Sequence, residues 1–175
     1  REGDQADARF GFCVTGAGDV NADGYSDIIV GAPNYTNGEN NEGKVFVYHG
    51  SSSGLAAVVN WTVESDQADA LMGLSVAGAG DVNGDGYSDV IIGANYYDNG
   101  EADEGKVWVY HGSSSGLSAV SNWSKESDTA SAEMGFSVAG AGDVNGDGYS
   151  DVIIAAPYLA NPAVYVYHGS SGGLS

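Results

Sequence analysis

Three nine-residue stretches hold most of the chemistry open to this chain: Asp19 to Asp27, Asp81 to Asp89 and Asp143 to Asp151, each reading Asp-x-Asn-x-Asp-Gly-Tyr-Ser-Asp. Side-chain oxygens fall at positions 1, 3, 5 and 9: Asp19, Asn21, Asp23 and Asp27, then Asp81, Asn83, Asp85 and Asp89, then Asp143, Asn145, Asp147 and Asp151. The main-chain carbonyl at position 7, from Tyr25, Tyr87 or Tyr149, supplies a further donor. An all-oxygen set of this size suits calcium, which takes about six to eight oxygens in a flexible shell, whereas magnesium demands a rigid octahedron and keeps its waters. Zinc prefers nitrogen or sulfur, and neither side-chain donor stands in these loops. Gly24, Gly86 and Gly148 permit the sharp turn that brings the two halves of each loop together. Three carboxylates this close repel one another unless a cation lies among them. The alternative is an ion-free polar turn, because Asn, Asp and Gly are ordinary turn formers. Recurrence in triplicate favours the metal, about one calcium per copy.

Bulk charge points the same way. Five Lys and Arg stand against 24 Asp and Glu, a formal net charge of −19 in 175 residues. Such a surface repels nucleic-acid phosphates and anionic lipids, and bound cations would offset its self-repulsion. The single Cys13 excludes an intrachain disulfide and reads as a small packed residue at the position of Ser75 and Ser137. No apolar run of about 18 residues exists to span a bilayer, and Arg1-Glu2-Gly3-Asp4 shows no signal-peptide core.

The loops recur because the whole chain repeats. Gly18-Asp19-Val20-Asn21 returns at Gly80 and Gly142, and Trp61 returns at Trp123, all with a step of 62. The Tyr-His-Gly signal at Tyr48, Tyr110 and Tyr167 steps by 62 and then 57, so the third copy lacks five residues between Ala156 and Tyr167. Short apolar or alternating runs separated by Gly, Asn, Asp and Ser predict an all-β chain. Strands are expected at 10–17, 27–32, 44–49 and 60–64, at 72–79, 89–94, 106–111 and 122–126, and at 134–141, 151–156 and 163–168. Four antiparallel strands that reset with each copy suit β-propeller blades in repeats of 1–65, 66–127 and 128–175 within a single propeller region. Residues 2–7 match 64–69, and the chain stops after Leu174-Ser175, so the last blade lacks its fourth strand. Three blades do not close a ring; the chain is expected to be part of a larger propeller or to assemble with others to complete one.

The units resemble FG-GAP repeats, the blades of the propeller at the head of integrin α subunits and of many bacterial surface proteins. Phe10-Gly11 with Gly31-Ala32-Pro33, Met72-Gly73 with Gly93-Ala94-Asn95, and Met134-Gly135 with Ala155-Ala156-Pro157 carry the likeness. That resemblance implies a seven-bladed ring, calcium on the outer face of selected blades, and adhesion or ligand recognition outside the cell. The family loop usually has an acid at position 3, where this chain has Asn21, Asn83 and Asn145, which implies lower charge and affinity.

A meander puts the calcium loops at one end with the His-Gly-Ser turns, leaving the loops after each second strand at the other. Those loops, 34–43, 95–105 and 158–162, vary most among the copies and suit recognition of a protein or glycan ligand. Tyr35, Tyr96, Tyr97 and Tyr158 are candidate contact residues, and Glu101, Asp103 and Glu104 a candidate additional cation site. His49, His111 and His168 read as turn structure rather than metal ligands or catalysts. No nucleophile motif is present, so an enzyme is not expected. A binding or adhesion module leads; a lectin-like propeller and a structural subunit of a surface assembly are the alternatives.

Overall fold

The computed structural model describes residues 5–175; the expectation for Arg1-Glu2-Gly3-Asp4 and the match beginning at Glu2 lie partly outside them. Among the described residues, eleven strands form three antiparallel meanders. The first sheet contains β1 (Cys13–Gly18), β2 (Asp27–Ala32), β3 (Lys44–Tyr48) and β4 (Trp61–Glu64), and the second β5 (Ser75–Gly80), β6 (Asp89–Ala94), β7 (Lys106–Tyr110) and β8 (Trp123–Glu126). The third has only β9 (Ser137–Gly142), β10 (Asp151–Ala156) and β11 (Ala163–Tyr167). The described residues contain no helix, so no helix is long and apolar enough to cross a membrane.

Two hydrophobic clusters lie between consecutive sheets rather than within one. Ile29, Val45 and Val47 of the first blade pack on Met72, Val90, Ile92, Trp108 and Tyr110. Ile91, Val107 and Val109, one residue out of phase on the same strands, pack instead on Met134, Val138, Val152 and Ile154 of the third blade. The pleat sends alternate side chains to opposite faces, so β6 is buried on both sides, which is why Val90-Ile91-Ile92 reads as continuous rather than alternating apolar sequence. The corresponding outer positions of the third blade, Val164 and Val166, remain 62% and 46% exposed.

The inner strands begin three residues later than the sequence suggests, at Cys13, Ser75 and Ser137. The cause is Gly11, Gly73 and Gly135, which adopt left-handed backbone (φ 86, 85 and 84°) that turns the chain before each strand. Each then donates its N–H to the carbonyl of Gly31, Gly93 or Ala155 in its own blade, at 3.0 Å. Gly31 and Gly93 answer a different need: a Cβ there would stand 2.0 and 2.2 Å from the carbonyl oxygens of Gly73 and Gly135 in the following blade. The paired glycine motifs are thus the points where backbone meets backbone between blades. Aromatic contacts close the outer gaps, with Trp61 edge-on to Tyr110 and Trp123 to Tyr167 at 4.9 Å, and Trp61 Nε1 donating to the Ser118 carbonyl at 3.0 Å. Cys13 is a half-buried free thiol whose Sγ lies 3.7 Å from the Val76 carbonyl of the next blade.

Candidate metal centre

Each nine-residue loop joins the first and second strands of its blade. Within the first, Asp19 Oδ1 and Oδ2 accept the N–H groups of Asp23 and Gly24 at 3.1 and 2.8 Å. Asn21 Oδ1 accepts Asp23 N–H at 3.1 Å, and Asp23 Oδ1 accepts that of Tyr25 at 3.0 Å. The second and third loops repeat this network, with Asp81 and Asp143 each taking one further N–H, from Gly84 and Gly146 at 2.7 Å. The donors curl the loop without exhausting the carboxylate lone pairs. Gly24, Gly86 and Gly148 hold φ of 90, 90 and 94° with nothing within 4 Å of a built Cβ, so conformation and not space requires glycine there.

Position 9 has a second task. Asp27, Asp89 and Asp151 are fully buried. Their Oδ2 atoms accept the N–H of Val20, Val82 and Val144 at 2.8–2.9 Å. Their Oδ1 atoms accept the N–H of Gly50, Gly112 and Gly169 across the sheet end, at 2.8–2.9 Å. These bonds place the loops beside the His-Gly-Ser turns, as the meander requires. The histidines brace that junction: Asn21 Nδ2 lies 3.3 Å from His49 Nδ1 and Asn83 Nδ2 lies 3.1 Å from His111 Nδ1, while His168 Nδ1 sits 3.3 Å from Asp151 Oδ2.

The loops are also linked in series. Ser88 N–H donates to the Asp19 carbonyl at 3.0 Å and its hydroxyl accepts Asp19 N–H at 3.1 Å. Ser150 N–H donates in turn to the Asp81 carbonyl at 2.9 Å. Position 8 of each later loop therefore fixes position 1 of the loop before it, a role the sequence cannot display because the contact crosses blades.

The residues fit a hard cation. Every side-chain donor is oxygen, and among the described residues no lysine or arginine pairs with a loop carboxylate. The loop residues named from the sequence all lie in the turns between the first and second strands of the three blades or at the first residue of the second strand. Among the described residues, the sets of three acidic side chains whose oxygens all approach within 4.8 Å lie elsewhere. No three loop carboxylates among the described residues meet that distance.

Burial leaves its mark on the middle loop: it pushes the Asp89 carboxyl up to about 7 against the Gly112 and Val82 N–H groups, and Asp85 and Asp81 push it further. At Asp151 burial acts in the same sense, yet the N–H groups of Gly169 and Val144 and the His168 ring outweigh it and hold that carboxyl below its ordinary value. A carboxyl raised in the folded state contributes stability that is complete below its unfolded value near 4 and is lost as pH rises through 7. In calcium-free protein the Asp89 side-chain carbonyl carbon should therefore titrate near pH 7 by NMR; with calcium present it should stay ionised down to below pH 5, the range of ordinary carboxylates.

The other expected cation site is regrouped by the structure. Glu104 does not gather Glu101 and Asp103; Asp103 N–H donates to Asp98 Oδ1 at 2.6 Å, and Glu104 joins Glu126 and Asp128. Glu42, Glu64 and Asp66 form the same cluster one blade earlier. The signal available in sequence is the return of Glu-Gly-Lys and Glu-Ser-Asp at a step of 62, outside the nine-residue loops. Tyr35 and Tyr97 prove to be packing residues, edge-on to Phe46 and Trp108, while Tyr96 and Tyr158 are 38% and 58% exposed.

Comparison with known proteins agrees with this architecture. The FG-GAP repeat model matches residues 14–48, 72–110 and 134–168. The chain is 32% identical over 174 residues to integrin alpha-7 of Homo sapiens, covering 95% of this chain and 14% of that protein. It is 34% identical over 161 residues to integrin alpha-6 of Gallus gallus, covering 89% and 14%, and 38% identical over 164 residues to integrin alpha pat-2 of Caenorhabditis briggsae, covering 83% and 13%. It thus spans about one seventh of the length of these relatives. Three blades joined through their paired glycine motifs, each carrying the same acidic loop, belong to the FG-GAP repeat family.

Proposed function

We propose that this chain is a calcium-stabilised binding or adhesion module that works outside the cell and meets a protein ligand on the end of the blades opposite the nine-residue loops. The observation that carries the reading is the serial linkage of three acidic loops, each with three carboxylates and no lysine or arginine partner among the described residues. Calcium held there would fix one end of the blades and leave the other for recognition. The integrin relatives support an adhesive role for the propeller as a class.

The opposite end offers suitable chemistry. Tyr96 and Tyr158 are exposed there, and a cleft of about 550 Å³ is lined by Gln5, Arg9, Asn34, Thr36 and Asn40 among others. Rigid aromatic rings with adaptable amides are the usual contact surface of a protein-binding site. Surface plasmon resonance against a panel of immobilised extracellular-matrix proteins checks this. Calcium-dependent capture that Tyr96→Ala and Tyr158→Ala together weaken at least tenfold, with the melting temperature unchanged, is the expected result. Capture unaffected by these changes, or lost on altering loop-end residues while the fold persists, would move the ligand face. Binding confined to a glycan array would favour a lectin, the second reading that the exposed tyrosines allow.

A further inference from the structure

Two side-chain clusters repeat at the end of the blades away from the nine-residue loops. Glu42 closes the connection between β2 and β3, Glu64 ends β4, and Asp66 opens the passage into the next blade. One oxygen from each lies within 4.8 Å of the other two, and Glu104, Glu126 and Asp128 do the same a blade later. We infer that each cluster is a second kind of divalent-cation site, of calcium type, which fastens the outer corner of one blade to the linker that enters the next.

The buried glutamates carry the argument. Glu42 and Glu104 are 0% exposed. Their Oε1 atoms accept the N–H of Asn37 and Asn99, but their Oε2 atoms accept no hydrogen bond. A buried carboxylate oxygen without a donor is costly, and two further carboxylates beside it raise that cost. The neighbouring lysine does not serve it. Lys44 Nζ lies 2.6 Å from Glu64 Oε1 and over the Tyr35 and Phe46 rings; Lys106 Nζ lies 2.5 Å from Glu126 Oε1 and over Tyr97 and Trp108. Asn37 and Asn99 side chains occupy the remaining glutamate oxygens at 2.9 and 2.8 Å. Three carboxylates against one ammonium leave a net charge that one divalent ion cancels. Oxygen donors of this kind, completed by water on the exposed side at Asp66 or Asp128, suit calcium.

The backbone of the same glutamates already joins blades. The Glu42 carbonyl accepts Met72 N–H at 3.1 Å and the Ser65 hydroxyl at 2.7 Å, and the Glu104 carbonyl accepts Met134 N–H at 3.0 Å and the Ser127 hydroxyl at 2.9 Å. An ion on their side chains would tie β4 and the linker to that seam. The third repeat supplies an internal control, since Asn161-Pro162-Ala163 stands where Glu104-Gly105-Lys106 stands and β11 has no outer partner among the described strands. The second copy also differs in having Lys125 Nζ 3.9 Å from Asp128, so the first cluster should hold its ion more tightly.

Calorimetric calcium titration of the whole chain tests this by difference. The paired variant Glu42→Gln with Glu104→Gln should bind two fewer calcium ions than the parent chain, one for each cluster. Asp66→Asn with Asp128→Asn, at exposed positions that leave the buried glutamates intact, should weaken the same two ions at least tenfold and decides the matter if the first variant misfolds. Asp81→Asn should leave these two ions in place, so a failure of the nine-residue loops to bind would appear separately. Equal stoichiometry and affinity in the parent and the Asp66/Asp128 variant would overturn the inference. So would a Glu42/Glu104 variant that melts higher than the parent and loses no ion, the signature of a proton shared among carboxyls.

Discussion

Gly93→Ala forces the second and third blades apart. The added Cβ would lie 2.2 Å from the Gly135 carbonyl oxygen and 2.6 Å from Ser75 Oγ, and Gly31→Ala would meet the Gly73 oxygen at 2.0 Å. The first obstacle in each case is backbone, so no rotamer change relieves it. Overpacking typically costs about 1–3 kcal/mol, and more where the neighbour cannot yield. For a chain of this size each kcal/mol lowers the melting temperature by about 2–4 °C. Gly16→Ala is the control, because its Cβ would meet nothing within 4 Å and its φ is not in the left-handed region; it should be neutral or slightly stabilising. Thermal melts of the three variants check the account, and equal melting temperatures for Gly93→Ala and Gly16→Ala would contradict it. Ala155 already occupies the corresponding place in the third blade, whose outer face no described segment covers.

Calcium removal is expected to have the larger effect. A ligand that binds the folded chain at about a hundredfold excess over its dissociation constant stabilises it by about 2.7 kcal/mol per site. Three loops would together contribute about 8 kcal/mol, comparable with the whole stability of an ordinary domain at about 5–15 kcal/mol. Because Ser88 and Ser150 bind the preceding loop, loss of one ion should loosen its neighbours as well. Asp81→Asn, in the middle of the series, should therefore lower the melting temperature by more than the same change at Asp143, whose loop no later loop holds among the described residues.

Much of this was legible from spacing alone. The step of 62 located the blades, and the runs beginning at Asp27, Lys44, Asp89, Lys106, Asp151 and Ala163 start where β2, β3, β6, β7, β10 and β11 start. Local turn chemistry dictates those ends: Asp closes the acidic loop, and Lys follows the positive-φ Gly43 or Gly105. The inner strands began late because a left-handed glycine, which composition does not distinguish from an extended one, turns the chain at Gly11, Gly73 and Gly135. The roles of Gly31, Gly93, Ser88 and Glu42 escaped for a different reason: each depends on a partner beyond its own blade. Glu101 and Asp103 were near Glu104 in sequence, yet the strand pairing of Lys106 with Glu126 brings Glu126 and Asp128 to it instead.

The most direct test is scanning calorimetry of the whole chain in excess calcium and again after exhaustive chelation, with magnesium as a control for ionic strength. Ordering of the three loops by calcium predicts a fall of about 15–30 °C on chelation, restored by calcium and not by magnesium. The same melting temperature in calcium and in chelator would mean that these loops are ion-free turns, and the central claim would be wrong.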